Sequence, residues 1–306
     1  MQYRRLGNTD ISVSAVGLGG WGFCGGYDWG NNTLPDVAAV VSAAADAGIN
    51  FIDTAPVYEP SETLLGEALK GRRDHFIVAT KCGLVKRDTW NVHDLRRETI
   101  ISQCENSLLA LQTDYIDVYQ VHYPHFSTPL EEVLETLLLL QKQGKIRAIG
   151  LCNVSAREMN ALSVPVASVQ NEFSLLHRAS GEAVFETCLQ KKISFIGYGT
   201  LCGGILSGKY HKEPNFRRAD ARNYFYKCYK GACFDAALAV TERVCRVAKR
   251  HNCPPAQIAI SWALMHLAVS SVLTGAKVPS QILQNAQAAD VQITAAERVY
   301  LEKEND

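Results

Sequence analysis

Three consecutive pieces decide the fold: His75-Phe-Ile-Val-Ala-Thr80, then Asp94 to Leu111, then Tyr115-Ile-Asp-Val-Tyr-Gln-Val121. The outer two are short β-rich runs, and the middle one carries apolar residues at helical spacing. Strand, helix, strand is the repeating unit of a parallel sheet.

The alternation runs outward in both directions. Ser14-Ala-Val-Gly-Leu-Gly19 predicts a first strand. Pro35 to Gly48, rich in Ala and Val with Pro at its start and Gly at its end, predicts the helix behind it. Asn50-Phe-Ile-Asp53 is the second strand, and Ser61-Glu-Thr-Leu-Leu-Gly-Glu-Ala-Leu69 opens like a capped helix. Beyond the fourth strand come a Leu-rich helix from Pro129 to Gln143, ended by Gly144, and a fifth strand, Ile146 to Leu151. A short helix from Ser155, a strand Val166 to Gln170, a helix Gly181 to Gln190 and a strand Ile193 to Tyr198 follow. Helices from Asp235 to His251 and from Pro255 to His266 lead to an eighth strand, Val269 to Thr274, and a helix begins near Pro279.

Eight strands, each followed by a helix, predict an α/β fold of the closed (β/α)8 TIM barrel type. A doubly wound open sheet competes with it. That fold expects a Gly-x-Gly-x-x-Gly turn opening a helix, and Gly17-Leu-Gly-Gly20 has neither the spacing nor the helix. The 306 residues fit one such barrel, which typically needs about 250. One domain over residues 1–306 is therefore expected, with a lid or binding loop at about 201–234, the only long irregular stretch.

Lys plus Arg and Asp plus Glu number 31 each, so formal charge is zero and no broad basic face for nucleic acid is expected. Hydrophobic residues at 47% and charged residues at 20% describe a packed domain. No run reaches the roughly eighteen apolar residues of a membrane span, and the N-terminus lacks the apolar core of a secretory signal. The ten cysteines include no Cys-x-x-Cys pair, so buried reduced thiols, a cytoplasmic location and no metal site are expected.

In such a barrel the chemistry sits where strands end. Strand two ends at Asp53 with Tyr58 five residues on, strand three runs into Lys81, and strand four into His122. Alone, each has a structural explanation: a cap, a packed ring, a solvated amine, a satisfied rim histidine. Together they suit carbonyl reduction, in which negative charge grows on oxygen and needs a proton donor and a positive field. Tyr has a pKa of about 10. A neighbouring Lys cation is expected to lower it, Asp53 to hold the Lys, and His122 to bind the carbonyl oxygen. Hydride requires a nicotinamide or flavin.

The chain resembles the aldo-keto reductase family along nearly its whole length. The resemblance rests on Leu6-Gly-Asn-Thr-Asp-Ile-Ser-Val-Ser14, Val16-Gly-Leu-Gly-Gly-Trp21, Ile49-Asn-Phe-Ile-Asp-Thr-Ala55 with Tyr58 and Ser61-Glu62, and Leu111-Gln-Thr-Asp-Tyr-Ile-Asp117 with His122. Gly144-Lys-Ile-Arg-Ala-Ile-Gly150, Gly208-Lys-Tyr210 and Thr274-Gly-Ala-Lys277 with Asn285 extend it. It implies a βα barrel that reduces an aldehyde or ketone with a nicotinamide cofactor. Tyr58 would be the general acid, Lys81 and Asp53 would tune it, and His122 would orient the carbonyl. Gly20, Trp21 and Cys152 would border the cofactor, Asn153 and Gln170 would hold the nicotinamide amide, and Tyr198 would stack on its ring beside Gly199. Leu201, Gly203 and Lys209 would lie near the pyrophosphate, and Gly275, Ala276, Lys277, Gln281 and Asn285 around the adenosine, where a phosphate at a helix start meets free N–H groups.

The chain departs from the family pattern at Cys152-Asn153, usually Ser-Asn, and at Gly199-Thr200, usually Ser-Pro. Gln281 and Gln284 replace the usual Arg and Glu, and Tyr58-Glu-Pro-Ser-Glu62 replaces Tyr-Gly-x-Ser-Glu. Without that Arg, the single charge of Lys277 leaves NADPH only narrowly favoured over NADH. Trp21, Tyr27, Trp29, Trp90, Tyr123 and Phe126 fall on rim loops, so either an apolar or aromatic substrate or simple loop packing accounts for them. Arg217, Arg218 and Arg222 are candidate phosphate contacts, or a solvated basic loop. Two other functions fit the same residues: a nicotinamide-sensing binding subunit, or an isomerase or lyase using Lys81 as a Schiff-base nucleophile.

Overall fold

Eight short runs pair side by side, all parallel, and close on themselves: β1 (Val16–Gly19), β2 (Phe51–Asp53), β3 (Ile77–Cys82), β4 (Ile116–Val121), β5 (Ile146–Cys152), β6 (Ser168–Glu172), β7 (Ser194–Tyr198) and β8 (Val269–Thr274). Strand order around the barrel is the order of the chain, and Val272 of β8 pairs with Val16 of β1 to complete the ring. The computed structural model describes residues 1–24, 29, 34–87, 90–125 and 127–303. Tyr27 and Phe126 lie outside the described residues.

Helices cover the outside: α1 (Val37–Asp46), α2 (Ser61–Ala68), α3 (Arg97–Ala110), α4 (Leu130–Lys142), α5 (Ala156–Ala161), α6 (Ala179–Lys191), the pair α7 (Gly231–Arg250) and α8 (Pro255–Leu264), then α9 (Pro279–Ala286) and α10 (Ala295–Glu302). α4 shows why such segments form. Val133, Leu134, Leu137 and Leu140 make one buried stripe. Glu131 and Glu132 stand in its first turn and Lys142 in its last, each complementing the helix dipole. Gly144 at φ 78° then turns the chain into β5. Ser155 and Glu158 form a reciprocal capping box on α5.

The barrel interior has an apolar floor. Phe51, Ala79, Val118, Ala148, Ile196 and Leu273 meet there, and Leu6, Ile11 and Val13 close it from below. Those three come from a hairpin, Tyr3–Arg5 with Ser12–Ser14, that the sequence reading left unassigned. Its turn needs glycine: Gly7 has φ 55°, and a Cβ there would stand 2.3 Å from the Ala167 carbonyl oxygen.

Two expectations are corrected. Ser61 does not cap α2; its hydroxyl donates to the Gly20 carbonyl at 3.1 Å and pairs with Thr54 Oγ1 at 2.8 Å, tying the helix to the rim. The stretch from 201 to 234 is not uniformly irregular: it holds short helical turns at Cys202–Ser207, Arg222–Phe225 and Lys227–Tyr229, and α7 starts within it. A rim hairpin, Leu84–Arg87 with Trp90–His93, and α10 with its Thr294–Glu297 capping box were also unanticipated. All ten cysteines are free thiols, six of them buried. Among the described residues no helix is long and apolar enough to cross a membrane.

Candidate active site

Alternation along a strand sends every second side chain into the barrel. Two residues above the floor, the same strands therefore present Asp53, Lys81 and Gln120, with Gln170 from β6. These four are buried and bonded to one another. Lys81 Nζ lies 2.5 Å from Asp53 Oδ2 and donates to the Thr54 carbonyl at 2.9 Å. Asp53 Oδ1 accepts from Gln120 Nε2 at 2.9 Å and from Gln170 Nε2 at 2.8 Å. Gln170 Nε2 also reaches Gln120 Oε1 at 3.1 Å, and the Cys152 thiol points to that oxygen at 3.7 Å. A buried ion pair is tolerable only when its remaining lone pairs and protons find partners, and here both carboxylate oxygens and two of the ammonium protons have them.

Above the pair sits Tyr58, on a turn, Pro56–Tyr58, held by its N–H to the Ala55 carbonyl at 3.0 Å. Lys81 Nζ lies 5.1 Å from the centre of the Tyr58 ring. The phenol oxygen is 3.4 Å from His122 Nε2, and the two rings meet edge to face. Enclosure of the phenol pushes its pKa well above the ordinary value, and the Asp53 carboxylate adds to the rise. The expectation that Lys81 would lower it is therefore reversed. The ammonium is bonded to a carboxylate, so their fields largely cancel at the ring. Burial, Lys81 and His93 together push His122 well below the usual imidazole range, leaving it neutral.

Asn153, at φ 58°, bridges the rim: its Nδ2 donates to the His122 carbonyl at 3.0 Å and its Oδ1 accepts from the Tyr198 hydroxyl at 2.7 Å. Both ends of this side chain are engaged within the protein, and the Gln170 amide nitrogen supports Asp53. Trp21 stacks near Tyr58, with ring centres 6.1 Å apart, and meets Trp29 at 4.9 Å and Phe225 at 5.0 Å. Tyr123 stacks on His122 at 5.1 Å. Trp90 is not drawn in: it is 63% exposed on the rim hairpin.

On the far side of the mouth, Gly199, Gly203, Gly204 and Gly208 all have positive φ, so the backbone after β7 folds tightly around Leu201. Lys209 reaches back over Gly204 and lies 5.0 Å from the centre of the Tyr210 ring. Lys277 donates from Nζ to the Trp29 carbonyl at 3.3 Å, and its N–H donates to Gln281 Oε1 at 2.7 Å. Burial first, and then mutual repulsion among Lys209, Lys277 and Arg222, lowers the pKa of both lysines. Arg222 is already paired bidentately with Asp220, at 2.6 and 2.8 Å, and lies over the Phe216 ring at 4.0 Å. It is a packing element of the loop, while Arg217 and Arg218 are exposed. Ala276 and Asn285 are buried beside this corner, and Gly275 faces open space. Two lysines, a glycine-rich backbone and an open approach at Gly275 suit the phosphates of a dinucleotide.

Sequence reasoning missed Gln120, Thr54 and Phe225. Gln120 had a signal: it precedes His122 by two in one strand and so shares its face. Phe225 had none, since it comes from the distant 201–234 segment.

Comparison with known proteins agrees with this geometry. The chain is 37% identical over 289 residues to the aldo-keto reductase YhdN of Bacillus subtilis, covering 92% of this chain and 87% of that one. It is 31% identical over 315 residues to an NADH-specific methylglyoxal reductase of Escherichia coli, covering 97% and 96%. The structure of a glycerol dehydrogenase from Gluconobacter oxydans superposes with a TM-score of 0.87 at 30% identity, over 98% of this chain and 93% of that one. A holo-form aldo-keto reductase from Bacillus halodurans superposes at 0.80 with 26% identity, over 99% and 95%. The model of the aldo/keto reductase family matches residues 15–305, and the chain belongs to that family.

Proposed function

We propose that this chain reduces an apolar or aromatic aldehyde or ketone to the alcohol, with a nicotinamide dinucleotide as its reductant. The observation that carries the proposal is the buried Lys81–Asp53 pair beneath the Tyr58 ring, with the phenol 3.4 Å from a neutral His122 at an aromatic mouth. Tyr198 would hold a nicotinamide, which when bound would supply the hydride. The protein's own groups do the rest. His122 and Tyr58 together bind the carbonyl oxygen and orient it. Tyr58 gives its proton to that oxygen as negative charge develops there. The phenolate left behind sits over the Lys81 ammonium, so Lys81 acts on the charged product of proton transfer rather than on the resting phenol. Gln120 and Gln170 keep Asp53 in place under the lysine.

The raised Tyr58 pKa suits reduction, because the acid stays protonated throughout the neutral range. Lys209 and Lys277 would hold the phosphates, and the one charge of Lys277 inclines the preference to NADPH. Trp21, Trp29, Phe225 and Tyr123 would line the substrate entrance. We read residues 1–306 as a single working unit. The test is a titration of NADPH and NADH followed by nicotinamide fluorescence, and then a panel of aldehydes with cofactor oxidation as the readout. Binding with turnover on apolar aldehydes supports the proposal. Tight binding with no turnover over the whole panel would make the chain a nicotinamide sensor instead.

A further inference from the structure

Three metal-binding side chains converge, with a fourth beside them, where the 201–234 segment lies on the ends of β6 and β7. Among the described residues, Glu172, His177 and Cys202 each bring one ligand atom to within 4.8 Å of the other two. The Cys228 thiol is a near neighbour of Cys202, just outside that group of three. Two of the four belong to the barrel rim and two to the segment above it. Glu172 ends β6, and the chain then doubles back through an antiparallel bridge between Ser174 and His177 that faces the imidazole toward Glu172. Cys202 is on the turn after β7 and Cys228 on the Lys227–Tyr229 turn.

Two independent features point to a missing ligand. Among the described residues, Glu172 Oε1 is shut off from solvent and has no hydrogen-bond partner. Its nearest basic neighbour, His177 Nε2, is 4.0 Å away, beyond hydrogen-bond length. A buried carboxylate oxygen without a donor is rare unless a cation takes its lone pair. The second feature is Ser174. Its Oγ accepts from the N–H groups of Leu176 at 3.2 Å and His177 at 3.1 Å, so its own hydrogen is free to point at Cys202 Sγ, 3.0 Å away. A hydroxyl donating to sulfur is the support that a metal-bound thiolate takes.

We infer that Glu172, His177, Cys202 and Cys228 form a tetrahedral site for a zinc-class divalent cation, which staples the 201–234 segment to the barrel. Two thiolates, an imidazole and a carboxylate are the ligands of zinc and its neighbours, whereas magnesium and calcium take oxygen alone. Zinc–ligand bonds of about 2.0–2.3 Å set neighbouring ligand atoms about 3.3–3.8 Å apart. The spread of Glu172, His177 and Cys202 therefore closes by about 1 Å, and Cys228 swings in from beside Cys202, both by side-chain rotation. The site involves no residue of the proposed reduction and stands or falls separately from it.

The experiment uses the reduced, chelator-treated full chain, titrated with cobalt(II) and then zinc(II). The expected result is one cobalt per chain, with thiolate charge-transfer absorption in the near ultraviolet and tetrahedral bands in the visible, all displaced by one zinc. Zinc should also raise the melting temperature and slow proteolysis within residues 201–234. Cys202→Gly removes the thiol at a residue whose φ of 45° favours glycine, so it tests the ligand without straining the fold. Cys202→Gly and His177→Gln should each weaken binding by more than the ~10–100-fold expected for Ser174→Ala. Cys233→Ser, at an exposed thiol, should leave binding unchanged. Absent tetrahedral bands, or bands that survive both Cys202→Gly and His177→Gln, overturn the site. So does a reduced chain that takes up no cobalt while its oxidised form yields a Cys202–Cys228 disulfide by mass spectrometry; the pair would then be a thiol switch.

Discussion

Within one barrel, two layers only two residues apart along the same strands behave as different materials. The floor of Phe51, Ala79, Val118 and Ile196 is apolar and sealed by the N-terminal hairpin. The layer above it is polar: Asp53, Lys81 and Gln120 are bonded to one another, and Tyr198 is bonded to Asn153 at the mouth. The contrast separates two duties. Floor residues gain stability by leaving water, at about 25 cal/mol per Å² of apolar surface. Polar groups in the layer above gain little net stability and exist to place charge. Changes in the two layers should therefore separate in their effects.

The largest expected effect tests that separation directly. Tyr58→Phe should lower turnover by ~10²–10⁴-fold with cofactor affinity and melting temperature almost unchanged, since a positioned acid contributes about that much. Phe51→Ala should do the reverse: about 3–5 kcal/mol of stability lost, measured by denaturant unfolding, with near-normal activity in the molecules that remain folded. Undiminished turnover in Tyr58→Phe removes the proposed acid. A loss of activity in folded Phe51→Ala would mean that the floor also shapes the site.

Lys81→Met probes the boundary between the layers. It leaves Asp53 charged, buried and short of its partner, and breaking such a pair costs about 3–5 kcal/mol. Adding Asp53→Asn removes the orphaned charge, so most of that stability should return while turnover does not. If the double variant is no more stable than Lys81→Met, the network contributes to folding through more than charge balance.

How much of this could be read before the structure was known follows from the same contrast. The barrel was legible because burial forces a pattern: Val269–Thr274 was expected to its last residue, and the other strands within two residues at each end. The rim set was legible because chemistry-bearing residue types stood at strand ends. The floor hairpin was not, since three-residue strands around Gly7 carry too little periodicity to declare themselves. Nor was the sign of the Tyr58 shift. The order of residues shows a lysine paired to Asp53 near the phenol; it does not show how completely the fold encloses the phenol, and enclosure is the largest cause of the rise. Cys202 and Cys228 read as ordinary small hydrophobes because 26 positions separate them, and only the fold brings them together.

The Tyr58 shift gives a test through pH. A phenol held well above its ordinary value is protonated across the neutral range, so carbonyl reduction, which needs the proton, should be flat from about pH 6 to 9. Alcohol oxidation needs the phenolate, whose fraction grows ~10-fold per pH unit below the pKa, so its rate should climb at that slope without levelling. A plateau in oxidation near pH 7–8 would mean that Lys81 outweighs burial once cofactor is bound.

The smallest effect concerns the phosphate corner, where the two lysines differ in what they can read. Lys209 sits in the tight turn after β7, and the pyrophosphate expected there is common to both dinucleotides. Lys209→Ala should therefore weaken NADPH and NADH alike. Lys277 stands just before α9, with its ammonium held by the Trp29 carbonyl and its pKa lowered by burial and by Arg222. A 2′-phosphate placed there would relieve that repulsion, and a hydrogen bond to a charged partner is worth at least ~10-fold in affinity. Lys277→Ala should weaken NADPH by roughly that factor and leave NADH unchanged, as read by fluorescence titration. Equal losses for both cofactors would move Lys277 to the shared pyrophosphate and leave the chain with no group that tells the two apart.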